Sequence, residues 1–393
     1  MTLHISDTQR RARLAWRHGL AAPSTSPDSG PATVAADLVT LHATDAATVY
    51  LSVAARLAAP TVAAVEDALY TQRTLLRMLG MRRTMYVVPT GDAPVVQAAA
   101  TAAVAVEQRR LLLKHLQQCG AGDTDWLADV EAATIAALQA RGGAATAAQL
   151  STDEPRLRTE LVFPQGNQYV TSRVLLLLAA QGHIVRGRPN GSWTSTQYTW
   201  QLLDGWLPSP LPQLDPAAAR AALARAWLAR YGPGTVADLK WWTGWTLTHT
   251  RAALAALDTV TVTLDGPAGT GVVLADDVDD VPVPPRWVAL LPALDPTMMG
   301  WAGRDWYLGP HAPALFDRTG NPGPTVWVDG RVVGGWAHTP DGRVAVELLE
   351  QVDATGIQDA ADRLADWIGP VRVTPRFRTP LERRLSEPVT PRR

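Results

Sequence analysis

The chain has very little of two reactive residue types. Cys119 is its one cysteine, so neither an intrachain disulfide nor a cluster of thiolate metal ligands can form. Lysine is almost absent: Lys114 and Lys240 stand among 36 basic residues, and the others are arginine. Enzymes that work through a Schiff base need an amine, and this sequence has almost nowhere to take one from. None of the eight histidines pairs with another at a helical metal-ligand spacing, which argues against a zinc site. No apolar run approaches the roughly 18 residues that suggest a membrane span. The N-terminus interleaves Arg10, Arg11, Arg13 and Arg17 with apolar residues and does not read as a signal peptide. The expected location is the cytoplasm, with no membrane partner.

What is present is a long and ordinary folding sequence. At 393 residues and 47% hydrophobic composition it can build roughly two to four domains with real cores. A net charge of −1 gives it no general attraction to polyanions, but the average hides a division. Acid is pooled at Asp276, Asp277, Asp279 and Asp280. Arginines gather at Arg82 and Arg83, at Arg186 and Arg188, and from Arg372 through Arg393. Such local patches are what a phosphate backbone would need.

An internal repeat sets the expected architecture. Thr61-Val62-Ala63-Ala64-Val65 is echoed by Thr146-Ala147-Ala148-Gln149-Leu150 and by Thr235-Val236-Ala237-Asp238-Leu239. Each copy starts with a threonine able to cap a helix and continues at helical period. A second helix follows each: Tyr70 to Leu79, Val170 to Gln181 and Thr248 to Leu257. β-rich stretches come next: Thr84 to Val88, then His183 to Arg188 with Trp193 to Tyr198 through an Asn190-Gly191 turn, then Val260 to Leu264. Helix, turn, helix and a two-stranded wing is the winged-helix plan, three times in tandem. Ahead of these lies a helix from Asp7 to His18, stopped by Gly19. Beyond Pro282 the sequence changes character, with strands at Val288 to Pro292, Thr325 to Val328 and Val344 to Leu349, a turn at Asp329-Gly330, and a helix from Ile357 to Trp367. The reading is α+β: three tandem winged-helix units over 1–120, 121–213 and 214–281, and a β-rich C-terminal part over 282–393.

The stretch that invites a chemical reading is Leu41-His42-Ala43-Thr44-Asp45, between two alanine-rich runs, Ala32 to Leu41 and Ala47 to Leu57. Side chains two apart point about 200° apart on a helix but to the same side of an extended segment, so His42 and Thr44 act together only where the chain is extended. A neutral imidazole, with an unperturbed pKa of about 6.5, has one nitrogen able to take a proton from water. The Thr44 hydroxyl could fix the same water. Asp45, at an odd offset, would orient His42, offset positive charge, or cap the helix that follows.

The tandem pattern, the Leu290-Leu291-Pro292-Ala293-Leu294-Asp295-Pro296 segment, and Gly320-Asn321 followed by Val328-Asp329-Gly330-Arg331-Val332-Val333-Gly334 resemble the bacterial AlkZ/YcaQ family of winged-helix DNA glycosylases, from about Gln9 to about Leu385. The resemblance implies three units around a DNA channel and excision of alkylated bases, including bulky N7-alkylguanine adducts of natural genotoxins, with no metal and no organic cofactor. The family's catalytic motif, Gln-hydrophobic-Gln or Gln-hydrophobic-Asp, falls on His42, Ala43 and Thr44, followed by Asp45, with Arg56-Leu57 downstream. Both polar positions depart from it, and that departure fits a specialised self-resistance enzyme better than a general repair enzyme. The scarcity of lysine points to a monofunctional glycosylase without lyase activity.

The expected partner is double-stranded DNA carrying alkylated bases, met by a monomer at the nucleoid. DNA contact is expected from Arg186 and Arg188 on the second wing with Trp193, Thr194 and Ser195 beside them, from Gln168 and Arg173 at the start of the preceding helix, from Arg82 and Arg83, and from Arg376 and Arg378 in the tail. Trp241, Trp242 and Trp245 read as one helical face turned to the core. The rival readings are a winged-helix transcription regulator without catalysis and an inactive scaffold for distorted DNA.

Overall fold

A computed structural model describes residues 3–164 and 166–387. The protein is a mixed α+β structure in which three consecutive segments repeat one order of elements. In the first, helix Pro31–Asp37 leads into the short strand Leu41–His42, helix Ala46–Ala54, and helix Val62–Glu66 extended by one wide turn to Thr71. The hairpin Leu75–Leu79 and Met85–Pro89 completes it. The short strand pairs with the second hairpin arm, Leu41 opposite Val87 and His42 opposite Tyr86. The second segment repeats this with helix Thr124–Ala140, strand Ala144–Thr146, helices Ala147–Asp153 and Val170–Ala180, and the hairpin Ile184–Pro189 and Tyr198–Leu202. Its short strand again joins the second arm, Ala145 opposite Trp200. In the third, helices Pro216–Tyr231, Val236–Thr243 and Leu247–Ala255 precede the hairpin Thr259–Leu264 and Thr270–Leu274, and the short strand shrinks to one bridge between Gly234 and Val272.

The internal repeat is real but its first copy is out of phase. Thr146 and Thr235 cap the second helix of their segments, each accepting the N–H three residues on. Thr61 caps the third helix of its own segment. The counterpart of Thr146 is Asp45, which caps the helix after Leu41–His42. The expected helix from Tyr70 to Leu79 is not formed: the chain leaves the helical path after Thr71, and Leu75–Leu79 is a strand. Every residue of that strand is buried, and a strand apolar on both faces has no period to distinguish it from a core helix. Arg82 and Arg83 therefore sit in a hairpin turn, with φ of 54° and 56°, rather than at a helix end. In the second hairpin the outer arm begins at Tyr198; residues 193–197 form a loop closed by the Asn190 N–H donating to the Gln197 carbonyl at 2.7 Å.

The C-terminal part is a four-stranded antiparallel sheet, Val288–Leu291, Thr325–Val328, Arg331–His338 and Val344–Leu348, crossed by helix Ile357–Ile368. Asp329 at φ 48° and Gly330 at φ 82° make its tight turn. One apolar core joins this part to the first segment: Leu41, Tyr50, Val87, Trp193, Trp336 and Ile368 belong to it. The N-terminal strand Leu3–Ile5 runs parallel to Thr259–Leu264, and helix Asp7–Arg17 follows, ended by Gly19 at φ 63°. Arg13 and Arg17 of that helix both bind Asp277, so part of the acid pool is used in joining chain start to third segment. The tryptophan trio is split. Trp242 and Trp245 are buried, but Gly244 ends the helix between them, and the half-buried Trp241 lies under the guanidinium groups of Arg82 at 4.4 Å and Arg304 at 4.7 Å.

Candidate active site and nucleic-acid cleft

The turn from helix Pro31–Asp37 into the short strand is made by Val39 at φ 61°, a conformation that β-branched residues rarely adopt. It sets the alternation that follows. Leu41 and Ala43 go into the core, and His42 and Thr44 point to the other side. The His42 ring meets the edge of Tyr86, 5.5 Å between centroids. It is 6% exposed, and burial, assisted by the charge of Arg82, pushes its pKa down to about 3. The imidazole is thus neutral at physiological pH. The Thr44 backbone N–H donates to His42 Nδ1 at 3.4 Å, which leaves the ring proton on Nε2. Among the described residues Nε2 has no protein partner, and it is not one of the occluded polar atoms.

Asp45 is fully engaged. Its Oδ1 accepts the Ala47 N–H at 3.1 Å, as a helix cap, and its Oδ2 accepts the Arg376 N–H at 2.8 Å. Burial raises its carboxyl above the ordinary range against the pull of those two N–H groups. The tie to Arg376 draws the C-terminal segment over the strand, and Val373 N–H donating to His338 Nδ1 at 3.1 Å fixes the same segment upstream. The downstream Arg56 is buried and forms a fork on Asp295, at 2.9 and 2.8 Å. Ser52 also donates to Asp295, at 2.7 Å, so helix Ala46–Ala54 is locked to the C-terminal part.

Beyond His42 the strand opens into a cleft of about 640 Å³, walled by Thr44 and Arg376 on one side and by Arg186, Asn190, Gln197 and Tyr198 of the second hairpin on the other. Arg186 stacks over Tyr198 at 5.4 Å and Trp200 at 5.3 Å. Burial pushes its guanidinium down to about 10, with Arg77 and Arg376 acting in the same direction.

The residues singled out from sequence fall into groups. Thr44, Arg186 and Arg376 meet at the cleft. Arg83 and Arg173 are near enough for the first to depress the second, Arg83 donates to Gln108 at 3.3 Å, and Gln168 is exposed just before the Arg173 helix, so these form a separate surface. Arg82 is exposed beside Trp241. Arg188 pairs with Glu66, and Arg378 with Glu382 at 2.7 Å, so both charges are already answered. Trp193 is 6% exposed and packs between Tyr50 at 5.2 Å and Trp367 at 5.7 Å. It plugs the hairpin into the core instead of facing a partner. Thr194 and Ser195 make local loop hydrogen bonds with Ser192 and Gln197. Asn190, Gln197 and Tyr198 were missed as cleft residues; Asn190 carried a signal, but for a turn. Arg77, inside an apolar strand, gave a signal only as the one charge in its run.

Known proteins bear on this arrangement. The family model for DNA glycosylase AlkZ-like proteins matches residues 35–367, a span that contains the short strand, the C-terminal sheet and every residue of the cleft except Arg376. The chain belongs to the AlkZ-like DNA glycosylase family. Among solved structures, Streptomyces sahachiroi DNA glycosylase AlkZ is similar, with a TM-score of 0.74 and 21% identity over 94% of this chain and 99% of that one. At that identity the likeness speaks for the fold. No curated protein sequence matches. Membership of the AlkZ-like family makes DNA the substrate. The positions that the sequence resemblance sets on the catalytic motif, His42 and Thr44, lie at and just beyond the end of the short strand, Thr44 on the cleft wall. No helix among the described residues is long and apolar enough to cross a membrane.

Proposed function

We propose that the protein is a monofunctional glycosylase for alkylated purines, bulky N7-alkylguanine adducts foremost, working as a monomer built on three winged-helix units. The common element order of the three segments, with the short strand joined to the outer hairpin arm each time, supports the winged-helix reading. The observation that carries the functional reading is the placing of Thr44: it continues the strand that bears His42 and forms the wall of a cleft flanked by Arg186 and Arg376.

An N7-alkylguanine is cationic, and breaking its N-glycosidic bond returns the bonding electrons to the base, which leaves neutral. The anomeric carbon is left electron-poor, and water adds to it and gives up a proton to solvent. The demands on the protein are to hold that water and to stabilise positive charge on the sugar. His42 meets the first as a donor: its Nε2–H binds the water oxygen, while the Thr44 hydroxyl accepts from it. A neutral imidazole with its acceptor nitrogen occupied by Thr44 N–H is a holder of water rather than a base. Asp45, both oxygens engaged, keeps strand, helix and C-terminal segment in register. Neither Lys114 nor Lys240 lines the cleft, which supports the absence of a Schiff-base step.

The test is product analysis on a duplex carrying a bulky N7-alkylguanine. Free modified base and an unbroken strand that breaks only on alkaline treatment are expected, with no protein–DNA adduct trapped by borohydride. A trapped adduct, or spontaneous strand cleavage, would contradict the monofunctional assignment. Adduct-independent, sequence-specific binding without release would favour a regulator.

A further inference from the structure

The second hairpin and the first segment enclose a group that the proposed chemistry does not use. Arg77, in the middle of strand Leu75–Leu79, is 3% exposed, and among the described residues its Nε and Nη1 have no hydrogen-bond partner. Its guanidinium lies over the ring of Tyr198 at 4.5 Å. The ionisable groups that bear on it most are the phenols of Tyr198, Tyr70 and Tyr50, and among the described residues it makes no ion pair with a carboxylate. Glu66, an acid that bears on Tyr70 and Tyr50, is taken by Arg188. On the far side, Arg186 stands over Tyr198 and feels both Arg77 and Arg376, again with no carboxylate in the set. Two guanidinium groups of the cleft, Arg186 and Arg376, and Arg77 behind them thus make no side-chain ion pair among the described residues; the one carboxylate beside them, Asp45, is held by the Arg376 backbone N–H. An unpaired buried cation costs a fold several kcal/mol, and replacing buried ions with apolar groups of similar volume is often stabilising. Elsewhere in this chain buried arginines are answered, as Arg56 is by Asp295 and Arg13 by Asp277.

We propose that the cleft beside Thr44 is a binding site for one phosphodiester group of the substrate strand, contacted by Arg186 and Arg376 and drawn in by the field of the buried Arg77 behind Tyr198. The proposal rests on the glycosylase reading for the identity of the strand, not for the anion. A phosphate held there, with Asn190 and Gln197 offering further hydrogen-bond donors, would fix the backbone next to the residues that hold the attacking water. Arg77 is a positioning residue in this scheme. It touches no substrate atom, and it keeps the Tyr198 and Arg186 wall electropositive.

The experiment uses the full-length protein. Thermal unfolding is followed in phosphate and in chloride at equal ionic strength, and binding to a duplex containing an abasic-site analogue is measured over a range of salt. Phosphate stabilises any fold by exclusion from its surface, so the site is read in the difference: the Tm gain over chloride is expected to be larger in wild type than in Arg186→Gln. The slope of log affinity against log salt should fall by about one in the same variant. Arg77→Met should melt above wild type in chloride and yet lose part of the phosphate gain. An equal phosphate gain in wild type and Arg186→Gln overturns the site. So does an Arg77→Met protein that melts below wild type and keeps the full gain, since Arg77 would then be a structural cation. Base release is a separate reading: a protein that excises nothing but keeps that difference would sink the glycosylase proposal and leave the anion site standing, whereas an active enzyme without the difference would sink the site alone.

Discussion

At the scale of single residues, the structure changes what His42 can do more than where it is. From sequence an imidazole near pKa 6.5 invites the role of base; inside the protein, burial and Arg82 hold it neutral down to about pH 3. His18, buried against Thr297 at 2.9 Å and beside Arg56, is likewise lowered to about 3, chiefly by burial. Both rings bind a proton more weakly folded than unfolded. As pH falls through about 6.5 the unfolded chain gains protons that the folded chain refuses, so stability is expected to decline from there toward pH 3. Between pH 7 and pH 5 the share due to His42 should be about 2 kcal/mol. Urea unfolding of wild type and His42→Gln at the two pH values checks this. The variant should lose correspondingly less on acidification, and an identical loss in both would show that the ring is not held neutral.

Elements show why some of the fold was legible and some was not. Helices followed closely by a glycine were readable to within a residue or two: Asp7–Arg17 before Gly19, Val170–Ala180 before Gly182, and Ile357–Ile368 before Gly369. Leu75–Leu79 was not, because burial on both faces erases the alternation that marks a strand. The phase of the repeat was lost for a related reason: Thr61 and Thr146 are both good helix caps, and nothing local says which helix of the segment each one starts. Trp193 misled through its neighbours, since a tryptophan on an arginine-bearing hairpin suggests groove contact until Tyr50 and Trp367 are seen around it. Its removal should therefore act on stability. Trp193→Ala is expected to cost about 3–5 kcal/mol in urea unfolding, while the folded variant keeps the salt slope of wild-type DNA binding. A stable variant with a reduced slope would return the residue to the DNA surface.

For the whole molecule, the site is an assembly of distant parts. The motif strand, the second hairpin and the C-terminal segment meet only in the folded chain, Thr44 with Arg186 across the cleft and Asp45 with Arg376 across the strand end. Sequence could name Thr44, Arg186 and Arg376 separately, from motif position and from charge. It could not tell that Arg188 and Arg378 are neutralised by Glu66 and Glu382, because those partners are a folding outcome in the first case and one of several candidates in the second. The central claim is that His42 and Thr44 hold the attacking water at this assembled site. Single-turnover release of a bulky N7-alkylguanine from duplex DNA, compared between wild type, His42→Ala and Thr44→Ala, tests it most directly. Both variants are expected to bind the duplex as wild type does and to release the base more slowly by about 100-fold or more. Release at the wild-type rate by His42→Ala would contradict the account.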